Sequence, residues 1–381
     1  MATVEFAKGL EGVIVNTTQL SKVDGENGKL YYCGYTIEDL AENCNFEEVS
    51  FLLMHKRLPN KQELEEFDAQ LKKERCLTPE LEASIVLTPK KGHPMAVLQA
   101  LVSMLAMHDD EIADKSIEAK ERKAIRIIAK MPTVVTMFDA LREGRPVVRP
   151  NKNLSHAANM LYMMTGRIPS DIEEKIFDKA LILHMDHGCN ASTFTARVVT
   201  STEADIYTSV VAALGALSGP LHGGANEKVL QMLEKVKADE MEEYIDKKIE
   251  NKEKIMGFGH RVYKVWDPRA IILRKLAVEL TEKMGEGADK VDFAEKFAQY
   301  TLKRFAEIGK TNIYPNVDYF SGAVYACLGL PTDFFTPVFA ISRVVGWVAH
   351  HYEQLVDNRI YRPKLYYNGA ELGRKFERPD A

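Results

Sequence analysis

Histidines placed behind glycine turns are the first residues of this sequence that could do chemistry. In the stretch IMGFGHRVYKVWDPRA, residues 255–270, His260 directly follows the tripeptide Gly257-Phe258-Gly259. Three cations follow in the same stretch, namely Arg261, Lys264 and Arg269. Glycines let backbone approach a ligand closely, and guanidinium groups suit anions. The stretch therefore predicts a histidine presented to anionic ligands; the alternative is a solvated loop in which Arg269 pairs with Asp267.

A second glycine turn presents another histidine. In VVAALGALSGPLHGGANEKV, residues 210–229, an apolar helix ends near Leu217 and His222 stands before two glycines. Alone, His222 or His260 is more often a turn histidine than a catalyst, so each needs a partner group. Asp318, in YPNVDYFSGAVY, has two readings. It is either the N-terminal cap of an apolar helix or a base held in a partly desolvated cleft.

Three arginines complete an inventory for one kind of chemistry. Arg269, Arg343 and Arg362 can each grip a carboxylate with two parallel hydrogen bonds. Histidines can stabilise a developing oxyanion, and an aspartate can remove a proton from a carbon next to a carbonyl. Together these residue types indicate carbon–carbon bond formation through an enol, on a small di- or tricarboxylate and without a metal.

A metal site is the competing interpretation of HMDHGCN, residues 184–190. His184 and His187 stand three residues apart, a spacing that puts two ligands on one helix face. No third matching ligand follows nearby. We therefore expect His184 to be a packed histidine, His187 to lie at a helix end, and no metal to bind. His350 and His351 belong to an apolar helical segment and are predicted to be structural.

Composition argues against several classes of function. The chain has 381 residues, a net charge of −5 and five cysteines. This charge does not favour nucleic acid as a partner, and the cysteines, none in a C-x-x-C pair, are typical of a reduced cytoplasmic protein. No Walker A, dinucleotide-binding or nucleophile-elbow motif occurs. We expect no signal peptide and no membrane span.

Helical periodicity dominates the elements that must position these residues. The predicted helices are 46–58, 60–75, 78–86, 94–107, 115–131, 153–164, 170–185, 204–217, 225–237, 239–251, 267–284, 289–309 and 335–357. Asn45 and Thr78 are predicted N-caps, and Pro132 should stop or kink its helix. Strand patterns are confined to 13–18 and 29–35. The fold class is therefore all-α, with a length that favours two domains.

The domain boundaries follow a change in composition. Between 222 and about 325 the sequence is more polar and richer in lysine. We predict a small helical domain over 222–325 and a large helical domain formed by 1–221 and 326–381.

At this point the chain resembles the citrate synthase family. The segments that carry the resemblance are GPLHGGANE, GFGHRVYK with DPRA, and PNVDYFSG, in this order. Flanking matches are GLEGV at 9–13, GYTIEDLA at 34–41, HMDHGCNASTFTAR at 184–197 and SRVVGW at 342–347. The resemblance covers residues 9 to 365. It implies a citrate synthase-like fold with the active site in the cleft between the large and small domains.

The resemblance also implies an activity, in which acetyl-CoA and oxaloacetate condense to citrate. Asp318 would take the methyl proton, neutral His222 would hydrogen-bond the thioester oxygen, and His260 would polarise and then protonate the ketone. Oxaloacetate would be held by His187, Arg269, Arg343 and Arg362, the last from a second subunit, with Phe339 beside it. CoA would meet Gly257, Phe258 and Gly259 through its adenine, and Arg261 and Lys264 through its phosphates.

Two alternatives remain open at this level. 2-Methylcitrate synthase, which uses propionyl-CoA, is similar in every motif, and one methylene is worth only about 1–3 kcal/mol of discrimination. A non-catalytic helical assembly protein would have little reason to keep the three arginines and the catalytic residues together. We expect oxaloacetate and acyl-CoA as partners, and no permanently bound cofactor. The resemblance and the apolar helices 94–107 and 204–217 also indicate a homodimer; the alternative for these helices is intramolecular core. Gly188, where many relatives carry an acid, departs from the family pattern.

Overall fold

The computed structural model describes residues 6–285, 287–370 and 372–375, and this part of the chain is mainly helical. The helices are α1 (Ile37–Asn43), α2 (Phe46–His55), α3 (Lys61–Glu74), α4 (Pro79–Leu87), α5 (Pro94–Met107), α6 (Ile117–Arg142), α7 (His156–Thr165), α8 (Asp171–Ile182), α9 (Ala191–Thr200), α10 (Ile206–Leu217), α11 (Ala225–Lys235), α12 (Met241–Glu250), α13 (Pro268–Met284), α14 (Ala288–Glu307), α15 (Val317–Cys327) and α16 (Phe335–Val356). The strands β1 (Ser21–Asp24), β2 (Lys29–Tyr32) and β3 (Tyr35–Thr36) form one antiparallel sheet in that order. The all-α prediction is confirmed. The outermost residues of the predicted large domain, 1–5 and 376–381, lie outside the described residues.

Capping chemistry sets several helix starts as predicted. The side chain of Asn45 accepts a hydrogen bond from the backbone N–H of Glu48. The carboxylate of Glu48 in turn accepts one from the backbone N–H of Asn45. Thr78 caps α4, and Pro79 occupies its first turn, where a missing N–H costs nothing. Since these caps satisfy otherwise orphaned backbone donors, they place the start of each helix at a defined residue.

Pro132 does not stop its helix, so the prediction of a helix end at this residue was wrong. α6 continues through Pro132 to Arg142, and nearly every residue from Ala124 to Ala140 is buried. Proline within a helix costs roughly 3 kcal/mol, whereas burying one large apolar side chain contributes about 1.5–3 kcal/mol. The burial of several such side chains therefore outweighs the proline.

The other differences concern short elements. No strand forms over 13–18, since the described strands begin at Ser21, whereas 29–32 pairs as predicted. Helices α1 and α9 were missed. The sequence of α9, ASTFTARVVT, is rich in β-branched and hydroxyl residues of low intrinsic helix propensity. Packing against α10 and α16 stabilises α9 as a helix despite this low propensity.

The helices near the histidine-bearing turns fall into two groups according to their contacts. The nearly fully buried α16 packs against α2, α6, α8, α9 and α10. Helices α11 to α15 pack mostly against one another, with α13 also contacting α8 and α11 contacting α16. In the described part of the chain, no helix is both long enough and apolar enough to cross a bilayer.

Candidate active site

The loop that carries His260 is fixed to the start of α15. Gly259 donates its N–H to the carbonyl of Tyr314 at 2.9 Å, and Asn316 donates to the carbonyl of Gly257 at 2.8 Å. Gly257 has φ +81°, and a Cβ there would lie 2.8 Å from both Tyr319 and Val229 side chains. Only glycine suits this position. The glycines therefore pin His260 close to the helix end that carries Asp318.

His260 is held as a neutral hydrogen-bond donor. Its Nδ1 accepts from the backbone N–H groups of Val262 and Tyr263, at 3.0 and 3.1 Å. In the neutral ring the proton is therefore on Nε2. Burial, reinforced by Arg269, lowers the pKa of His260 to about 4. At neutral pH the ring can donate from Nε2 without carrying charge.

His222 is held in the opposite tautomer. The backbone N–H of Ser192 donates to its Nε2 at 3.3 Å, and the Ser192 hydroxyl lies 2.8 Å from the same nitrogen. Trp347 donates to that hydroxyl at 3.2 Å. The neutral ring therefore carries its proton on Nδ1. Burial, with Arg343 as the second cause, lowers the pKa of His222 to about 4.

Asp318 lies in the first turn of α15, but it is not the cap. Asn316 is the N-cap, and its side chain accepts from the Asp318 N–H at 3.1 Å. This excludes the capping interpretation. Desolvation raises the pKa of Asp318 to about 7, although Arg269 and Arg343 lower it. A carboxyl group whose pKa lies near neutral pH is suited to act as a general base.

The predicted arginines differ in how far they are already paired. Arg269 donates from Nε and Nη2 to the two carboxylate oxygens of Asp267, at 3.0 and 2.7 Å, and both side chains are buried. Arg343 donates from Nε to the His184 carbonyl at 2.6 Å and lies 4.7 Å from the ring centre of Phe339. Its buried Nη2 has no hydrogen-bond partner among the described residues. Arg343 thus has a free donor for a carboxylate.

Arg269 and Arg343 lie close enough to the three predicted catalytic residues to shift their pKa values. Arg269 acts on the pKa values of His260 and Asp318, and Arg343 acts on those of His222 and Asp318. The ring of Phe339 lies 6.3 Å from that of His222. The residues come from the α10–α11 turn, the loop before α13, and helices α15 and α16.

His187 belongs to the same cluster. Its Nε2 lies 3.1 Å from the Tyr263 hydroxyl, and its ring centre lies 5.2 Å from that of His260. Burial first, then Arg269, lowers its pKa well below the ordinary value. The His184 side chain instead bonds within its own chain segment, where Nδ1 donates to the Ala180 carbonyl at 2.7 Å. Among the described residues, no group of three or more His, Cys, Asp or Glu side chains could hold a metal ion.

Gly188 follows His187 in a left-handed conformation. Its φ is +60°, and its N–H donates to the hydroxyl oxygen of Ser21 at 3.0 Å. This backbone conformation favours glycine over a branched or acidic residue. The departure from the family pattern therefore coincides with a backbone conformation that glycine adopts without strain.

Other predicted residues lie outside the cluster. Arg261 and Lys264 are exposed, and the N–H of Lys264 bonds the Gly25 carbonyl at 3.0 Å. Arg362 is exposed beyond α16, where it donates to the Pro363 carbonyl at 3.2 Å. Phe258 packs on the rings of Tyr319 and Phe305, at 5.1 and 5.9 Å between centroids.

Sequence reasoning missed two polar neighbours. Ser192 contacts the catalytic candidate His222, 30 positions away in the chain, and Tyr263 contacts the substrate-binding candidate His187, 76 positions away. Each lies inside a segment that the family resemblance had already marked, but its partner could not be read from local spacing. His350 was correctly interpreted as structural, since it is buried and lies 3.1 Å from Asp186.

Comparisons with known proteins agree on one family. The family model described as "Citrate synthase, C-terminal domain" matches residues 9–364. "Citrate synthase 2" of Bacillus subtilis is 46% identical over 96% of both chains, and "2-methylcitrate synthase 2" of Corynebacterium glutamicum is 41% identical over 97% of both. Among solved structures, a ternary complex of carboxymethyl coenzyme A and oxaloacetate with citrate synthase from Thermoplasma acidophilum aligns with a TM-score of 0.91. That alignment has 34% identity and covers 98% of each chain.

Proposed function

Because this chain belongs to the citrate synthase family, we propose that it condenses acetyl-CoA with oxaloacetate and water to give citrate and CoA. It is an acyltransferase whose acyl group becomes an alkyl group on transfer. The observation that carries the proposal is the pairing of two neutral histidines of opposite tautomer with one carboxylate whose pKa lies near 7. Such a set can move a proton off carbon and stabilise both oxygens that gain charge.

The first step is proton removal from the acetyl methyl group. Asp318, when ionised, takes that proton, and its burial makes it more basic than an exposed aspartate. His222 donates from Nδ1 to the thioester oxygen, since its Nε2 already accepts from Ser192. Because His222 is neutral, the product is an enol-like species hydrogen-bonded at oxygen.

The second step is attack of the nucleophilic methylene carbon on the ketone of oxaloacetate. His260 donates from Nε2 to that ketone oxygen and gives up the proton as the oxygen becomes a hydroxyl. The proton that Asp318 took from the methyl group then restores the neutral His260 ring, so the step conserves protons. Water then hydrolyses the thioester of citryl-CoA, which releases CoA and makes the overall reaction effectively irreversible.

Binding residues are assigned to the two substrates as follows. The free Nη2 of Arg343 and the guanidinium of Arg269 suit the carboxylates of oxaloacetate. His187 and Phe339 complete its pocket, and Arg362 reaches the site from the second subunit. The exposed Arg261 and Lys264 suit the phosphates of CoA, while the loop Gly257, Phe258 and Gly259 lies beside its adenine.

A homodimer supplies Arg362, which in one chain lies exposed beyond α16. Helices α5 and α10 pack against each other, and their outward faces carry small residues such as Ala100 and Gly215. Nearby Leu87 and Met107 are 83% and 78% exposed. Apolar side chains this exposed favour a covered interface.

The way the helices pack supports a closure of two domains on the substrates. Residues 222–325 form the small domain, and 1–221 with 326–381 form the large one. Helices α11 to α15 pack mainly among themselves, which suits a unit that moves as one body. Oxaloacetate should draw the units together and exclude water. Compaction in solution scattering on adding oxaloacetate tests this, and an unchanged radius of gyration would contradict it.

The second candidate is 2-methylcitrate synthesis from propionyl-CoA, favoured by the 41% identity to the Corynebacterium glutamicum enzyme. The test is release of free CoA from either acyl-CoA at low concentration, with oxaloacetate present, followed with a thiol reagent. A higher kcat/KM for acetyl-CoA supports citrate synthesis. A higher value for propionyl-CoA would replace it with methylcitrate synthesis.

A further inference from the structure

A histidine at the start of α5 lies beside the first turn of α11, the helix that follows the His222 turn. His93 is the N-cap of α5, and its Nδ1 accepts the N–H of Met95 at 3.1 Å. The proton of the neutral ring is therefore on Nε2. That nitrogen lies 3.6 Å from Oε2 of Glu227, in the first turn of α11.

The second oxygen of Glu227 contacts a different helix. Its Oε1 is hydrogen-bonded to the hydroxyl of Thr336, near the start of α16. The same hydroxyl lies 3.2 Å from the carbonyl oxygen of Gly223, the residue directly after His222. A Cβ on Gly223 would lie 2.6 Å from the Leu217 carbonyl, so the turn is tightly packed. The Glu227 carboxylate thus contacts α5 and α16, and the Thr336 hydroxyl that it contacts also lies beside the catalytic turn.

We propose that His93 and Glu227 are positioning residues that hold the His222 turn in its productive orientation, an inference that rests on the catalytic role proposed for His222. Neither side chain touches the reacting atoms. They act through the backbone of the turn, whose displacement by about 1 Å can cost as much as 100-fold in rate.

The charges around His93 favour this pairing. Glu227 is the main cause of a raised His93 pKa, with Asp333 adding to it and Arg142 opposing it. Arg142 is itself paired with Asp333, at 2.8 Å between Nη2 and Oδ1. The side chain of Glu227 is only 16% exposed, so solvent competes weakly for its oxygens.

The experiment compares Glu227→Ala, Glu227→Gln, His93→Gln and the His93→Gln/Glu227→Ala double variant. For Glu227→Ala we expect kcat to fall by about tenfold or more, with KM for oxaloacetate within about twofold of wild type. Glu227→Gln keeps an acceptor for Thr336 and should recover part of kcat. The double variant should be no slower than Glu227→Ala alone, because both changes break one link.

The matched control is the His55–Glu121 pair, which joins α2 to α6 with 3.2 Å between Nε2 and Oε1. His55→Gln and Glu121→Gln remove a similar contact away from the site and should leave kcat unchanged. Circular dichroism confirms that each variant is folded. Suppose that the wild type is active. An unchanged kcat in the Glu227 variants, or an equal loss of kcat in the control variants, would then overturn the positioning role and leave the proposed function standing. A wild type without turnover would overturn the proposed function and this role together.

Discussion

Replacing Asp318 with asparagine should make the protein more stable above pH 7 while removing its activity. Burial raises the pKa of this carboxyl from 3.8 to about 7, so the folded state resists its ionisation. At about 1.4 kcal/mol per pH unit, that difference corresponds to roughly 4 kcal/mol. The start of α15 favours a negative charge by only about 0.3–1 kcal/mol, which is too little to reverse the sign. The amide avoids the cost because it never ionises.

The pH dependence distinguishes this cause from a general packing effect. Between about pH 4 and pH 7 the folded wild type holds a proton that the unfolded chain has released. The contribution of Asp318 to wild-type stability therefore falls as pH rises through this window and levels off above it. The advantage of Asp318→Asn should be absent near pH 4, grow through pH 7 and then stay constant at up to about 4 kcal/mol.

Urea unfolding of both proteins at pH 5, 6, 7 and 8 measures this difference. Asp267→Asn is the matched control, because its pairing with Arg269 helps hold the Asp267 pKa below the ordinary value. That variant leaves a buried guanidinium unpaired and should lose about 3–5 kcal/mol at neutral pH. An Asp318→Asn protein no more stable than wild type at pH 8 would refute the view that desolvation sets the basicity of Asp318.

Three further predictions follow from the site. kcat/KM for acetyl-CoA should fall about tenfold per pH unit below pH 7 and level off above it, because Asp318 must be ionised; a flat profile from pH 5.5 to 8 would contradict this. Arg343→Lys should weaken oxaloacetate binding, measured by calorimetry, by about tenfold or more, because it loses the fork that positions a charged hydrogen bond; unchanged affinity would remove Arg343 from the site. Gly257→Ala should cost more in unfolding free energy than Gly309→Ala, by about 1–3 kcal/mol, since both have positive φ but only Gly257 faces side chains at 2.8 Å; equal losses would contradict the steric argument.

Much of the candidate site could be read from the chain because its residues lie in short, distinctive segments. The glycines before His260 mark a backbone conformation that other residues avoid, and the Arg269–Asp267 pair is local enough for spacing to suggest it. The N-caps Asn45 and Thr78 are likewise properties of a few neighbouring residues. Local signals of this kind survive folding because their partners are adjacent in sequence.

The features that failed depend on partners distant in sequence. The tautomer of His222 is set by Ser192, and the environment of His187 by Tyr263. Pro132 was expected to stop or kink α6. It does not stop the helix, because burial along the helix, which local sequence does not reveal, outweighs the cost of the proline. The basicity of Asp318 is also a tertiary property, since desolvation dominates it.

The most direct test of the account is citrate formation by wild type beside His222→Gln, His260→Gln and Asp318→Asn, each supplied with acetyl-CoA and oxaloacetate. Citrate is identified by mass spectrometry, and CoA release is timed in the same samples. We predict citrate from the wild type, with kcat lowered by about 100-fold or more in every variant. Citrate formed at the wild-type rate by any of the three variants, or CoA released by wild type without citrate, would contradict the assignment of these residues to the reaction.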